Sequence, residues 1–325
     1  MSGPTDYQKI IEIIEKENDF LLTSHQDPDG DSIGSLIGLY KFLKGIGKRV
    51  VAYNEGRLPD KYKFLVSNGE IRFSQIPPEF TPRVAIILEC PDISRIGFVK
   101  DMIDKGMTII NIDHHPKNMR YGDLNCVDES ASAVAEVLFD IIKSNGHDLA
   151  PEIAESFYAA IASDTGRFKF SNTSAKCMST ASQLVAAGAK PKDISDKVFS
   201  SFNAGTLKLL GSLLVNLELH DNGRICILKL TLDDLNKYRV KVEDTEGIID
   251  YSLLISGVKV GILFKERDAH AVKVGLRSQN GIDISAYARA HGGGGHANAA
   301  GFTLNESFNG AVAKTIAEVA EFLND

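Results

Sequence analysis

The first half of the chain alternates short apolar runs with helical patterns, and this alternation restricts the fold more than any other feature. Phe20-Leu21-Leu22-Thr23 reads as a buried strand. Ile33, Leu36, Ile37, Tyr40 and Leu43 follow at i, i+3, i+4, i+7 and i+10, the spacing of one helix face. Lys48 to Tyr53, Val84 to Leu88 and Thr108 to Ile112 are strand-like, and Val134, Val137, Leu138, Ile141 and Ile142 mark a further helix. Strands alternating with helices predict an α/β fold: a mainly parallel, doubly wound sheet covered on both faces.

The second half reads differently. Arg224 to Leu232, Leu253 to Phe264 and Ala269 to Leu276 look like successive strands, and Val272, Val274 and Leu276 alternate with Lys273, Gly275 and Arg277. Val312, Ile316, Val319, Ala320 and Leu323 form a closing helix stripe. A helix ending at Gly188, then Lys190-Pro191, places the change of character near 190. The expected organisation is a catalytic domain over 1–190, a helical connector over 191–218 and a smaller α/β domain over 219–325. The 325 residues are enough for two domains.

Bulk properties narrow the function. No apolar run is long enough to cross a bilayer, and the first residues lack the pattern of a signal peptide, so no membrane partner is expected. Cys90, Cys126, Cys177 and Cys226 form no CxxC pair, which suits reduced thiols in a cytoplasmic protein. The net charge of −7 argues against a protein that coats long nucleic acid, where many phosphates must be neutralised. A small phosphorylated substrate remains open, because bound metals supply local positive charge.

Four clusters carry the chemistry. His25-Gln26-Asp27-Pro28-Asp29-Gly30-Asp31 follows the first strand, Glu89-Cys90-Pro91-Asp92 another, and Asp113-His114-His115 a third; Ser163-Asp164-Thr165-Gly166 follows a helical pattern. Ligands of parallel α/β sheets bind at the carboxyl ends of the strands, so the fold brings three clusters to one edge. Mixed carboxylate and imidazole suit Mn²⁺, Fe²⁺ or Co²⁺. Two ions roughly 3.5–4 Å apart clamp the attacking and leaving oxygens of a phosphoryl displacement. His25, Asp29, Asp31, Glu89, His114 and Asp164 could supply the ligands. Singly, each cluster has an ordinary explanation: Asp31 could be only a helix N-cap, His-His a surface pair, Asp164-Thr-Gly a turn. Together they point to a metal centre. Gly292-Gly293-Gly294-Gly295-His296 is the other distinctive segment. Bare amides plus an imidazole make a phosphate cradle, with Arg277 as a bidentate partner.

These clusters, in this order, resemble the DHH phosphoesterase family. The run from Gly292 to Phe302 resembles the DHH-associated domain of its subgroup with oligoribonucleases and pAp phosphatases. The resemblance covers nearly the whole chain. It implies two Mn²⁺ ions, with Mg²⁺ or Co²⁺ as alternatives. His25 and Asp29 would ligate one ion, Asp31 and His114 the other, with Glu89 and Asp164 shared. His115 would face the substrate and Asp113 orient the pair. The associated domain would close over the cleft and bind nucleotide phosphate through Arg277, Gly293, Gly294, Gly295 and His296. Arg95, Arg167 and Asn172 are further candidates for substrate contact. Members of the family usually carry Asp where this chain has Glu89.

The expected reaction is metal-assisted hydrolysis, with His115 stabilising or protonating the leaving oxygen. The substrate that the resemblance implies would be a short RNA of two to five nucleotides, trimmed to 5′-monophosphates, or 3′-phosphoadenosine 5′-phosphate (pAp) cleaved to AMP. Rival readings are a cyclic-dinucleotide or pApA phosphodiesterase, a pyrophosphatase or exopolyphosphatase, and a nucleotide sensor whose site Glu89 has weakened. A homodimer is compatible with the sequence, but no interface is legible.

Overall fold

The structure is a computed structural model and describes residues 4–75, 78–199, 203–245, 247–279 and 281–324. It divides into two compact units, 1–201 and 202–325. The first runs α1 (Pro4–Lys16), β1 (Asp19–Thr23), α2 (Gly30–Gly45), β2 (Arg49–Tyr53), β3 (Ile71–Arg72), β4 (Val84–Leu88), β5 (Thr108–Asp113), β6 (Leu124–Val127), α3 (Val134–Ser144), α4 (Pro151–Asp164), α5 (Ala175–Ala186) and α6 (Pro191–Phe199). Its sheet has the order β3-β2-β1-β4-β5-β6, and every pairing is parallel. The connections run outward in opposite directions from β1 and β4, which makes their shared edge a topological switch point. The register sets Thr23 beside Ile87 and Leu88 beside Ile112, so the ends of β1, β4 and β5 lie level.

Burial explains the apolar strands. One face carries Phe20, Leu22, Ile86, Ile110 and Ile112 into a core with Ile33, Ile37, Val137 and Phe157 of α2, α3 and α4. The other packs Leu21, Val51, Ala85 and Ile87 against Ile96 and Val99 of a 3₁₀ run, Ile93–Met102, kinked at Gly97. Strands buried on both faces read as continuous hydrophobic runs rather than alternating ones.

Helices α2 and α4 approach unusually closely. A Cβ placed on Gly34 would lie 2.6 Å from the Ser156 carbonyl oxygen, and one on Gly38 would lie 2.3 Å from Phe157 Cε1. One on Gly30 would lie 2.2 Å from Ser163 Oγ. These glycines are four apart, so they form a stripe along one face of α2. The stripe lets α4 lie against α2 and carries its last residue, Asp164, toward the first turn of α2.

The second unit runs α7 (Ala204–Val215), β7 (Glu218–His220), β8 (Ile225–Leu230), α8 (Leu232–Tyr238), β9 (Val260–Asp268), β10 (Ala271–Ser278), α9 (Ile284–Ala290), β11 (Gly294–His296), β12 (Ala299–Leu304) and α10 (Phe308–Phe322). The sheet order is β11-β12-β10-β9-β8-β7, with β8 and β9 parallel and the other pairs antiparallel. Val272, Val274 and Leu276 bury against Ile284, Val312 and Val319 of α9 and α10. The opposite side packs Leu228 and Leu263 against Leu209 and Leu213 of α7 and Ile248.

Three expectations need correction. The apolar run from Leu253 is not strand throughout. Ile248–Leu254 is a 3₁₀ segment, a turn follows with Gly257 at φ 90°, and β9 begins only at Val260. β8 ends at Leu230 because Thr231 caps α8. The stretch 191–218 also divides: α6 sends Ile194 and Val198 into the first core, and α7 sends Leu209, Leu210 and Leu213 into the second unit. No single described helix is long and apolar enough to cross a membrane.

Candidate metal centre

The chain leaves β1 at Thr23, β4 at Leu88 and β5 at Asp113, and the side chains just beyond these points converge. His25, Asp29 and Glu89 form one group able to hold a metal ion, and Asp31, His114 and Asp164 form another. In the first, His25 Nε2 contacts Glu89 Oε2 directly and lies 3.9 Å from Asp29 Oδ2. In the second, His114 Nε2 lies 3.8 Å from Asp31 Oδ2 and 3.7 Å from Asp164 Oδ2. Ligand atoms around one ion at about 2.1 Å stand roughly 3.0–4.2 Å apart, so the second group has the spacing of a coordination shell. Glu89 and Asp164, expected as shared ligands, each fall in one group.

Each ligand has a local reason for its position. Asp29 is the N-cap of α2: its Oδ1 accepts from the Ser32 amide at 3.0 Å in a capping box, and Oδ2 is the oxygen near His25. Asp31 does not cap its own helix. Its Oδ2 accepts the Val134 amide at 2.6 Å and its Oδ1 the Ala135 amide at 3.3 Å, so it caps α3, whose own N-cap residue, Ala133, offers no side-chain oxygen. Ser35 Oγ donates to Asp31 Oδ1 at 2.7 Å. His114 Nδ1 lies 3.1 Å from the Ala131 carbonyl, to which it donates, and this turns Nε2 toward Asp31 and Asp164. Asn54 Nδ2 donates to Ser24 Oγ at 2.9 Å and to the His25 carbonyl at 3.0 Å, bracing the loop after β1. Glu89 sits at φ 53°, in the left-handed region that side-chain-bearing residues avoid.

The electrostatics call for cations. Burial pushes the Glu89 carboxyl well above its ordinary range, and the charges of Asp29, Asp31, Asp113 and Asp164 push it further. Burial also raises Asp31, against the pull of His114. Asp164 is raised to about 7, first by burial and then by Asp31 and Asp29. Its Oδ2 and His25 Nδ1 are buried with no hydrogen-bond partner among the described residues. Buried acids crowded together in this way, with an oxygen aimed at an imidazole, fit divalent ions well.

Asp113 and His115 lie beside these groups. Asp113 is fully buried. Its Oδ1 accepts from the His114 amide at 2.8 Å, the His115 amide at 3.2 Å and His115 Nδ1 at 2.9 Å, and its Oδ2 accepts from Asn118 Nδ2 at 2.6 Å. Burial alone would raise its pKa, but the hydrogen bond and charge of His115 hold it below the ordinary range. The proton on His115 Nδ1 leaves Nε2 facing Glu89 Oε1 at 3.5 Å. Arg95 is half-buried, and its charge lowers the pKa of His25, after burial and against the attraction of Asp29. Two candidates stand differently. The Asn172 amide nitrogen is committed to the Ser132 and Asp164 carbonyls at 3.2 and 3.1 Å, a supporting role. Arg167 is exposed and stacks over Phe199 at 5.2 Å.

This supporting layer is not legible in the sequence. Buried polar residues such as Asn54, Asn111 and Glu136 were its only sequence signal, and periodicity does not report them. Glu136 Oε2 accepts from the Ser132 amide at 2.9 Å, within the loop that presents Ala131 to His114.

In the second unit, Arg277 and His296 both pair with Ala299 across the sheet, and Gly275 and Gly294 both pair with Gly301. Directly paired residues share a face, so Arg277, His296 and Gly294 lie on one side of the sheet. The glycine segment is partly strand, not a loop of bare amides. The Gly292 and Gly293 amides donate to the Arg289 and Ala288 carbonyls at 3.0 and 2.9 Å. A Cβ on Gly293 would lie 2.2 Å from the Gly301 oxygen, and one on Gly295 would lie 2.3 Å from the Ala299 oxygen, so hairpin packing explains both glycines. At Gly294 a Cβ would meet nothing within 4 Å, so that face is open. Arg277 Nε donates to Asp250 Oδ1 at 3.0 Å and Nη1 to the Leu276 carbonyl at 3.1 Å, so a second anion has to share or displace Asp250.

Comparison with known proteins gives the family. Residues 19–161 match the N-terminal domain of the DHH family, and residues 222–325 match the DHHA1 domain. The chain belongs to the DHH family. It is 32% identical to the bifunctional oligoribonuclease and PAP phosphatase NrnA of Thermus thermophilus, over 89% of this chain and 85% of that protein. It is 28% identical to the protein of the same name from Bacillus subtilis, over 91% and 92%. Among solved structures, an exopolyphosphatase-related protein of Bacteroides fragilis superposes with TM-score 0.91 at 25% identity, covering 99% of this chain and 98% of that one.

Proposed function

We propose that the chain is a two-metal, Mn²⁺-dependent phosphoesterase that hydrolyses short oligoribonucleotides to 5′-mononucleotides and pAp to AMP. The observation that carries this reading is the pair of adjacent ligand groups, His25/Asp29/Glu89 and Asp31/His114/Asp164, at one sheet edge. The names of the relatives from Thermus thermophilus and Bacillus subtilis support the choice of substrates. Divalent ions held there supply Lewis acidity, lowering the pKa of an attacking water and offsetting charge on the phosphoryl oxygens.

The chain's own residues do the rest. The surrounding carboxylates would hold the ions; without them, burial and mutual repulsion favour protons on Glu89, Asp31 and Asp164. Asp113 fixes the His115 tautomer, so Nε2 faces the site and can carry the proton that the leaving oxygen takes up. Arg95 adds positive charge beside His25. On the second sheet, Arg277, His296 and the open face at Gly294 form an anion site for a nucleotide phosphate. Small substrates of this kind suit a chain of net charge −7 in a cytoplasmic setting.

The test is a substrate panel with Mn²⁺, Mg²⁺ and Co²⁺: pAp, pApA, RNAs of two to five nucleotides, cyclic dinucleotides, pyrophosphate and polyphosphate, with products identified. Release of AMP from pAp and of 5′-monophosphates from short RNA, abolished in Asp31→Asn, is the expected result. Tight nucleotide binding without turnover in any of the three metals would sink the enzyme reading.

A further inference from the structure

Asn111 is the one polar side chain midway along β5, which otherwise reads Thr108-Ile109-Ile110 and Ile112 before Asp113. It is completely buried. A buried amide is costly unless its hydrogen bonds are made, and a β-branched apolar residue would suit this strand better. The bonds of its Nδ2 lead to one place, while its Oδ1 has no hydrogen-bond partner among the described residues. Asn111 Nδ2 lies 3.2 Å from the Cys90 carbonyl, 3.4 Å from the Ile87 carbonyl and 3.0 Å from Tyr121 Oη, and Tyr121 donates its own proton to the Cys90 carbonyl at 2.9 Å. Between Ile87 and Cys90 stands Glu89 in its left-handed conformation, its amide donating to the Ile112 carbonyl at 3.0 Å. Such backbone persists only where the surroundings over-determine it.

We propose that Asn111 and Tyr121 are positioning residues for Glu89: they grip the peptide on its far side and so hold the turn that aims its carboxylate at His25 and His115. The proposal rests on the metal-centre reading above. It explains why an amide is buried in an apolar strand, and why a tyrosine beyond Asp113-His114-His115 reaches back to the neighbouring strand end.

The full-length protein, stripped with chelator, is titrated with Mn²⁺ while electron paramagnetic resonance counts free ion; thermal unfolding in EDTA is measured alongside. In Tyr121→Phe, one of the two ions is expected to bind about 10–100-fold more weakly, the range for lost supporting contacts, while the other is retained. Glu89→Gln should weaken the same ion, and the double variant Glu89→Gln/Tyr121→Phe should be no weaker than Glu89→Gln alone. Asn111→Ala should repeat the pattern. Additive losses in the double variant, equal weakening of both ions with a fall in the EDTA melting temperature, or unchanged affinities would each overturn the proposal. A wild-type chain that binds no Mn²⁺ would instead remove the metal centre itself.

Discussion

Asp113 accepts hydrogen bonds from two backbone amides, from His115 and from Asn118, yet lies in neither ligand group. Asp113→Asn keeps the shape but removes the negative charge beside His115 and sets an amide NH2 against the Asn118 Nδ2 donor. The expected result is a 10–100-fold fall in kcat with KM for pAp within a few-fold of wild type, read by steady-state kinetics. His115→Ala should cost more, on the order of 10²–10⁴ in kcat. The sequence displays the acids and histidines of the centre because they stand at strand ends, where periodicity stops. It does not display which residue serves which. Asp31, readable as an ordinary cap of its own helix, caps α3 instead, and that contact spans a hundred residues of chain. Only the packed structure brings such partners together.

Among the elements, α2 and α4 decide where Asp164 sits. Gly34→Val inserts carbon where the Ser156 carbonyl lies 2.6 Å from even a Cβ. It should destabilise the fold by about 1–3 kcal/mol in urea unfolding, the usual cost of overpacking. It should also loosen Mn²⁺ at the Asp31/His114/Asp164 group, whereas Gly45→Ala, which meets nothing, should do neither. The parallel sheet and most of its helices were legible, because strands such as Val84–Leu88 are wholly apolar and helices such as α3 carry a clear stripe. β3, β6 and β11 were not. They are two to four residues long and lack alternation, and pairing with a longer neighbour defines them. The glycines at 30, 34 and 38 were visible as a spacing of four, but their meaning needs the partner helix.

For the whole molecule, the crowding of acids couples stability to pH and to metal. Asp164 is raised from the ordinary carboxylate value of about 4 to about 7, and Glu89 and Asp31 are raised too. Folding then takes up protons, so the protein in chelator should lose stability as pH rises through that window. His114, also raised, works in the same direction, and His25, lowered first by burial, opposes it below its ordinary value. Melting temperatures in EDTA should therefore fall from pH 5 to pH 8, while Mn²⁺ should reverse the trend by binding the ionised carboxylates. A flat profile in EDTA would contradict the burial of these acids. One oxygen makes this linkage local as well as global. Asp31 Oδ2 accepts a hydrogen bond from the Val134 amide and also faces His114. Filling of the centre should thus be audible at the start of α3, as a change in deuterium uptake at Val134 and Ala135. That signal needs no substrate and no turnover, so it reports occupancy even in variants that cannot react.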